Sequence, residues 1–326
     1  MIAARLAPSH PASAHPGAVS RVAAACGLAL LTFSLASCSL LAVGGGERTS
    51  LASLEGGEAL VQSGDGAVFV TGRQGVFRLR GLDDAKPALA PVPIRVRLPA
   101  ACQFTGAAVQ QGWLFAACTT AEHSYLLQGA LARSGTALTQ IAELKGVALA
   151  SGMAAGAGDR LFVADSRQRR AALSAVTVTR HTPLAVATAP WFDDQGTGFP
   201  NGVQASGGVV YLTSAGRLLA IPVRRDGAAG EARVVLTRMT FLDDFQVLDR
   251  GFLLTDYTFN RLLLVNGSGA GLGSFAASTR GPTAVLVAAG PDGKPRVLVT
   301  ERERGRLSEV RVPDSLQRYL KPTAGP

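Results

Sequence analysis

The chain of 326 residues is 47% hydrophobic and 17% charged, with 32 Lys and Arg against 23 Asp and Glu and a formal net charge of +9. Its basic residues are scattered and its aromatic content is only 6%; a single-stranded nucleic-acid site needs basic and aromatic side chains interleaved on one platform, so nucleic acid is excluded as a partner. The short basic groups RQRR (Arg167–Arg170) and ERERGR (Glu301–Arg306) read as solvated edges, with at most a modest attraction to anionic lipid head groups.

Residues 1–37 read as an export signal outside the fold. Arg21 precedes the apolar run VAAACGLALLTFSLA (Val22–Ala36), which is too short to span a bilayer as a helix and is bounded like a secretory segment. The run ends in Leu35-Ala36-Ser37-Cys38. This tetrapeptide resembles a bacterial lipobox, and the resemblance implies that Cys38 is diacylated, becomes residue one after cleavage and is then N-acylated. Several acyl chains, at about 0.8 kcal/mol per buried methylene, make such an anchor permanent. Ser39 stands where lipoproteins retained in the inner membrane carry Asp, which implies the outer membrane of a bacterial cell envelope, facing the periplasm or the surface. An ordinary signal with Cys38 buried or disulfide-bonded is the alternative. Cleavage removes Arg5 and Arg21 and no acid, leaving 30 basic against 23 acidic residues, a mature balance of +7.

Residues 38–54 follow as a short N-terminal segment, and the next landmark is the pair Cys102 and Cys118, separated by QFTGAAVQQGWLFAA. Its only turn-like stretch is central. An antiparallel hairpin closing at Gln110–Gly112 sets the two cysteines nearly opposite each other, in a compartment where disulfides persist. A Cys102–Cys118 disulfide is therefore expected, worth about 3 kcal/mol in the chain-entropy account.

Six segments share one pattern, an apolar strand, a polar turn and a second apolar strand, with anchors at Val68, Leu114, Leu161, Val210, Phe252 and Val297. The spacings are 46, 47, 49, 42 and 45 residues, and the fourth residue of each anchor is Thr or Ala. Regular strands at this period, with no long amphipathic helix, predict an all-β fold, a six-bladed β-propeller of four-stranded blades over residues 55–312. Residues 313–326 form a C-terminal tail. The last blade is completed either by the segment after Cys38 or by Leu316–Lys321.

In such a fold the innermost strand of a blade precedes each anchor strand. Nine or ten residues upstream of the anchors stand Glu58, Thr105, Ser151, Asn201 and Asp243, with Thr283 after allowance for an insertion in the sixth unit. These side chains form a predicted ring of oxygens at one mouth of the central channel. Carboxylate and amide oxygens without sulfur or imidazole suit a hard cation, above all Ca²⁺. The competing account is that polar residues at strand starts only satisfy exposed backbone groups in a wet channel.

The repeat, with FPNGV, VVYLTS and GRLLAI (from Phe199, Val209 and Gly216), resembles the superfamily of six-bladed propellers that includes gluconolactonase, senescence marker protein, strictosidine synthase-like proteins and the paraoxonases. That resemblance covers most of residues 55–312 and implies Ca²⁺ at the top of the channel. GGEALV carries the first-blade Glu onto Glu58, with Glu55 as the fallback; FPNG carries the middle Asn onto Asn201; LDDF carries the later Asp onto Asp243, with Asp244 beside it. Ser151 stands where a second Asn belongs, a neutral and shorter ligand. The implied activity is Ca²⁺-dependent hydrolysis of a lactone or ester, with Asp243 as general base and Asp244 in reserve.

The second reading is a non-catalytic propeller that binds a protein, glycan or small molecule across its top face, because LFVADS and LLTDYTFNRLLLV also resemble NHL-type propellers. His123 and His181 fall outside the channel register and read as surface residues. Trp191 and Phe192, in the loop before Asn201, either wall a pocket above it or pack their own loop.

Overall fold

The computed structural model describes residues 47–84, 86–132, 135–167, 171–179, 184–194, 198–275, 278–290 and 294–323. The lipobox with Cys38, and His181, lie outside them. The first strand is β1 (Arg48–Ser53), followed by blade one: β2 (Leu60–Gln62), β3 (Val68–Gly72), β4 (Gly75–Arg80) and β5 (Ala88–Pro91). Blade two is β6 (Gln103–Gln110), β7 (Trp113–Thr119), β8 (Ser124–Ala130) and β9 (Gln140–Glu143). Blade three is β10 (Ala150–Ala155), β11 (Arg160–Asp165), β12 (Ala171–Thr179) and β13 (Ala185–Asp194). Blade four is β14 (Pro200–Ser206), β15 (Val209–Ser214), β16 (Arg217–Pro222) and β17 (Arg233–Thr237). Blade five is β18 (Leu242–Leu248), β19 (Gly251–Asp256), β20 (Arg261–Asn266) and β21 (Gly271–Phe275). Blade six contains β22 (Pro282–Ala289), β23 (Pro295–Glu301) and β24 (Arg306–Val310).

Every blade is an antiparallel four-stranded sheet in sequence order, except the sixth, whose order is β1-β24-β23-β22. The six anchors predicted from the sequence are thus the second strands, and the inner strands are those that precede them. The apolar layers lie between blades. Phe115 and Leu126 of blade two pack with Met153, Leu161 and Val176 of blade three, and Leu218 and Leu236 of blade four pack with Phe245, Phe252 and Leu254 of blade five. A lone blade would expose both of these faces, which is why the repeat is stable only as a closed array.

Closure uses the segment after Cys38: β1 pairs with β24, so the sheets start at Arg48, inside the segment 38–54. A buried carboxylate secures the join. Glu301 accepts from Arg48 Nη1 at 2.6 Å, from Ser308 Oγ at 2.5 Å and from the Arg280 N–H at 3.0 Å. Leu316–Lys321 has another task. Leu316 of the short helix α1 (Asp314–Gln317) and Leu320 beyond it bury against Leu248, Leu253 and Val285, and Pro322 bridges to Leu248.

The predicted hairpin closes through Gln111 (φ 47°) and Gly112 (φ 78°), the paired left-handed residues that suit a two-residue turn. Cys102 and Cys118 are disulfide-bonded with Cα atoms 5.6 Å apart.

Candidate site at the channel mouth

The inner strands converge on a cavity of about 1010 Å³ whose wall includes Glu58, Ser151, Asn201 and Asp244. In blades two to six the pairing of inner and second strands shifts register at the start of the inner strand, at Phe104/Ala107, Ala150/Met153, Pro200/Val203, Leu242/Phe245 and Pro282/Ala284. Thr105, Ser151, Asn201, Asp243 and Thr283 each occupy that bulge, the device that re-aims a side chain at a sheet end.

The Thr recurring at the fourth anchor position holds the start of the inner strand. The hydroxyls of Thr71, Thr213, Thr255 and Thr300 accept the inner-strand N–H of Ala59, Gly202, Asp244 and Ala284 at 2.8–2.9 Å. In three blades the second bulge residue is glycine, because the next blade leaves no room. A Cβ on Gly152 would stand 1.9 Å from the Asn201 carbonyl oxygen, and one on Gly202 would stand 2.7 Å from Asp244 Oδ1. Asn201-Gly202 is therefore a strand entry, not a turn. By the same register Asp243 is equivalent to Asn201, and Asp244 is equivalent to Gly202.

Three acids meet here. Glu58 is 19% exposed and its Oε1 lies 2.8 Å from Arg302 Nη1; burial pushes its carboxyl up to about 7 against the pull of Arg302. Asp243, 5% exposed, is raised well above the usual range by burial first, then by the charges of Glu58 and Asp244, with Arg302 opposing. Asp244 is pushed up to about 7 by burial, although the N–H groups of Phe245 and Val285 favour its charged form. Three buried acids facing one guanidinium leave an excess of negative charge if all ionise, which the fold resists by holding protons.

The other predicted ring members are tied into the fold. Thr105 Oγ1 donates to the Ala150 carbonyl, and Thr283 Oγ1 donates to Gly57 O at 2.6 Å. Ser151 Oγ lies 2.5 Å from Ser166 Oγ and 3.4 Å from Pro200 O. Glu55 pairs with Arg73 at 3.1 Å, both exposed. His123 is an exposed partner of Glu143. Trp191 does not wall the channel: its Nε1 donates to Gly227 O at 2.9 Å, its ring packs against Phe162 at a tilt of 53°, and with Phe192 it lines a separate cavity of about 480 Å³.

Arg302 was missed from the sequence, because ERERGR reads as a solvated edge. Glu301 is buried, and Arg302 crosses to Glu58. In donor type, Glu58, Asn201 and Asp243 fit a hard cation. Among the described residues, no group of three or more His, Cys, Asp or Glu side chains is placed to hold a metal ion, so the remaining oxygens would come from Asn201 and water.

No family model matches the chain, and no curated protein matches it. Solved structures do. Regucalcin, a calcium-binding protein from Agrobacterium tumefaciens, is 15% identical with a TM-score of 0.58, over 87% of this chain and 96% of that one. A luciferin-regenerating enzyme is 11% identical with a TM-score of 0.59, over 86% and 98%. A catalytically inactive virginiamycin B lyase from Staphylococcus aureus is 10% identical with a TM-score of 0.52, over 82% and 99%. At these identities the likeness is one of fold, and the chain is an all-β, six-bladed propeller structurally similar to all three.

Proposed function

We propose that the protein is a lipid-anchored propeller of the bacterial cell envelope that hydrolyses a lactone or ester at its channel mouth with the aid of Ca²⁺. The observation that carries this reading is the convergence of Glu58, Asp243 and Asp244 in one buried cluster where the inner strands begin. Glu58, Asn201 and Asp243 would hold the ion, with Ser151 as a weak fourth donor. When bound, Ca²⁺ supplies Lewis-acid polarisation of the substrate carbonyl and stabilisation of the developing oxyanion.

Asp244 is the base in this reading. It lines the channel, and a carboxyl held near 7 suits proton transfer from water at neutral pH. The charge of Glu58, across the cluster, adds to its basicity. The small residues of the surrounding wall leave room for substrate and water.

Calorimetric titration of Ca²⁺ into the mature chain, beside Asn201→Ala and Asp243→Ala, tests the site, and hydrolysis of a panel of lactones and esters by wild type and Asp244→Asn tests the chemistry. Binding lost in both variants supports the reading; no binding at millimolar Ca²⁺ removes it. Mass spectrometry of the mature N-terminus tests acylation of Cys38, which Cys38→Ser abolishes. A second reading, a non-catalytic binding propeller whose partner docks on the top face, is favoured by the Arg302–Glu58 ion pair, which already supplies a cation to the cluster.

A further inference from the structure

Blade one meets the channel differently from the other blades. Its inner strand β2 has three residues, against eight in β6 and seven in β14, and the chain leaves it at once in the turn Ser63–Ala67, closed by two backbone bonds of 2.9 Å. So short a strand does not screen those behind it. In blades three to six the channel cavity is bordered by inner strands and the turn after β10, whereas in blade one it reaches Phe69 on the second strand and Arg78 on the third. In blade two it reaches Leu131 and Thr136, between β8 and β9. The cavity thus has a branch between blades one and two.

Val61, Phe69, Arg78 and Ala90 stand opposite one another across β2, β3, β4 and β5, so their side chains share one face of the sheet. Val61 and Phe69 pack with Val109, Leu114 and Leu131 of blade two, which identifies that face as the one turned toward the branch. Arg78 therefore sets a guanidinium in an otherwise apolar row. It is half-buried, and among the described residues it makes no hydrogen bond or ion pair. Asp65 also borders the cavity, but it is exposed, and its carboxylate accepts from the Ser63 hydroxyl and from the Ala67 N–H at 3.4 Å. Those two bonds are the main causes that hold the Asp65 carboxyl below the usual range, and the charge of Arg78 is the least.

We propose that this branch is a binding site for a monocarboxylate with a short hydrocarbon body, its carboxylate paired with the Arg78 guanidinium and its chain laid along Val61, Phe69 and Leu131. The planar fork of arginine matches a carboxylate with two parallel N–H donors, and the apolar row takes the rest of the ligand. The negative charge of Asp65 in the same wall disfavours a dianion such as phosphate. Phe69 pairs with Val61 near the end of β2, so the site lies toward the mouth where the inner strands end, away from the carboxylate cluster where they begin. It goes beyond the hydrolase reading and does not depend on it; where that reading holds, an acid released at the first mouth is a ligand of this kind.

The test uses the mature Cys38→Ser chain in chelator, so that neither acyl chain nor metal competes, with hexanoate as the probe in calorimetric titration. Arg78→Met should weaken hexanoate binding at least about tenfold and Arg78→Lys about threefold, because lysine keeps the charge and loses the fork. Asp65→Asn should tighten it about twofold, by removing a like charge. Arg302→Gln and Asp244→Asn, at the other mouth, should bind hexanoate as wild type does, and 1-hexanol should not distinguish wild type from Arg78→Lys. No binding by wild type at about 10 mM hexanoate, equal binding by wild type and both Arg78 variants, or binding lost in Arg302→Gln instead, overturns the proposal. Inorganic phosphate that binds through Arg78 more tightly than hexanoate overturns the carboxylate assignment. If hexanoate binding depends on Arg78 while no lactone or ester is hydrolysed, the hydrolase reading fails and this site stands.

Discussion

Arg302 Nη1 lies 2.8 Å from Glu58 Oε1, joining the first blade's acid to the turn between β23 and β24 of the last. The guanidinium occupies the acid that the proposed Ca²⁺ site would use. Arg302→Gln frees Glu58, and Ca²⁺ affinity at pH 8 should rise by about three- to fivefold, the modest size reflecting a half-exposed partner. Calorimetry on wild type and variant checks this; weaker binding by the variant would mean that Arg302 supports the site.

The raised carboxyl groups set a direction for stability against pH. Glu58 moves from an ordinary 4.5 to about 7 and Asp244 from 3.8 to about 7, so between those limits the folded chain binds more protons than the unfolded one. Stability therefore falls as pH rises through that window, by roughly 3 kcal/mol per group as an order of magnitude. Melting curves in chelator should show Tm declining from pH 5 to pH 8, and Ca²⁺ at pH 8 should restore part of the loss. A Tm that climbs over the same range contradicts the buried cluster.

Thr213 links Gly202, the residue after Asn201, to Asp243 of the next blade. Its hydroxyl accepts the Gly202 N–H at 2.8 Å and donates to Asp243 O at 2.6 Å, fully buried. Thr213→Val removes both bonds and leaves two buried backbone groups unpaired, a loss of about 1–3 kcal/mol, whereas Thr213→Ser should recover most of it. Urea denaturation of both variants separates these outcomes.

The same threonine shows what was legible in the sequence. A Thr at a fixed place in a 45-residue period reports a local hydrogen bond that four blades repeat, so the fold and the places where the inner strands begin follow from period and register. Long-range meetings leave no such trace. Arg302 and Glu58 come from opposite ends of the chain, and the choice of β1 over Leu316–Lys321 to close the last blade depends on Arg48 reaching Glu301. Ser151 was legible as a departure, but its bond to Pro200 O was not. The aromatic that reaches solvent beside Asn201 is Phe199 and not Trp191, because one backbone angle turns the ring outward.

Cys102 and Cys118 close a loop at a sequence separation of 16 residues, between blade two's inner and second strands. Reduction, or Cys102→Ser with Cys118→Ser, should lower stability by about 3 kcal/mol without moving Ca²⁺ affinity, since neither cysteine borders the cavity. A loss of Ca²⁺ binding on reduction would instead tie the hairpin to the site.

Phe199 tests backbone strain at an exposed residue, with φ 62° and 56% of its surface in solvent. Glycine adopts φ 62° without steric cost, so Phe199→Gly relieves the left-handed strain; against this stand the greater freedom of glycine in the unfolded chain and the small area that a half-exposed ring buries. Strain relief is the larger effect at a residue so exposed, and the variant should gain about 1 kcal/mol in urea denaturation. A variant less stable than wild type would mean that the ring packs against its neighbours more than its exposure indicates, and the reason for keeping an aromatic there would be structural.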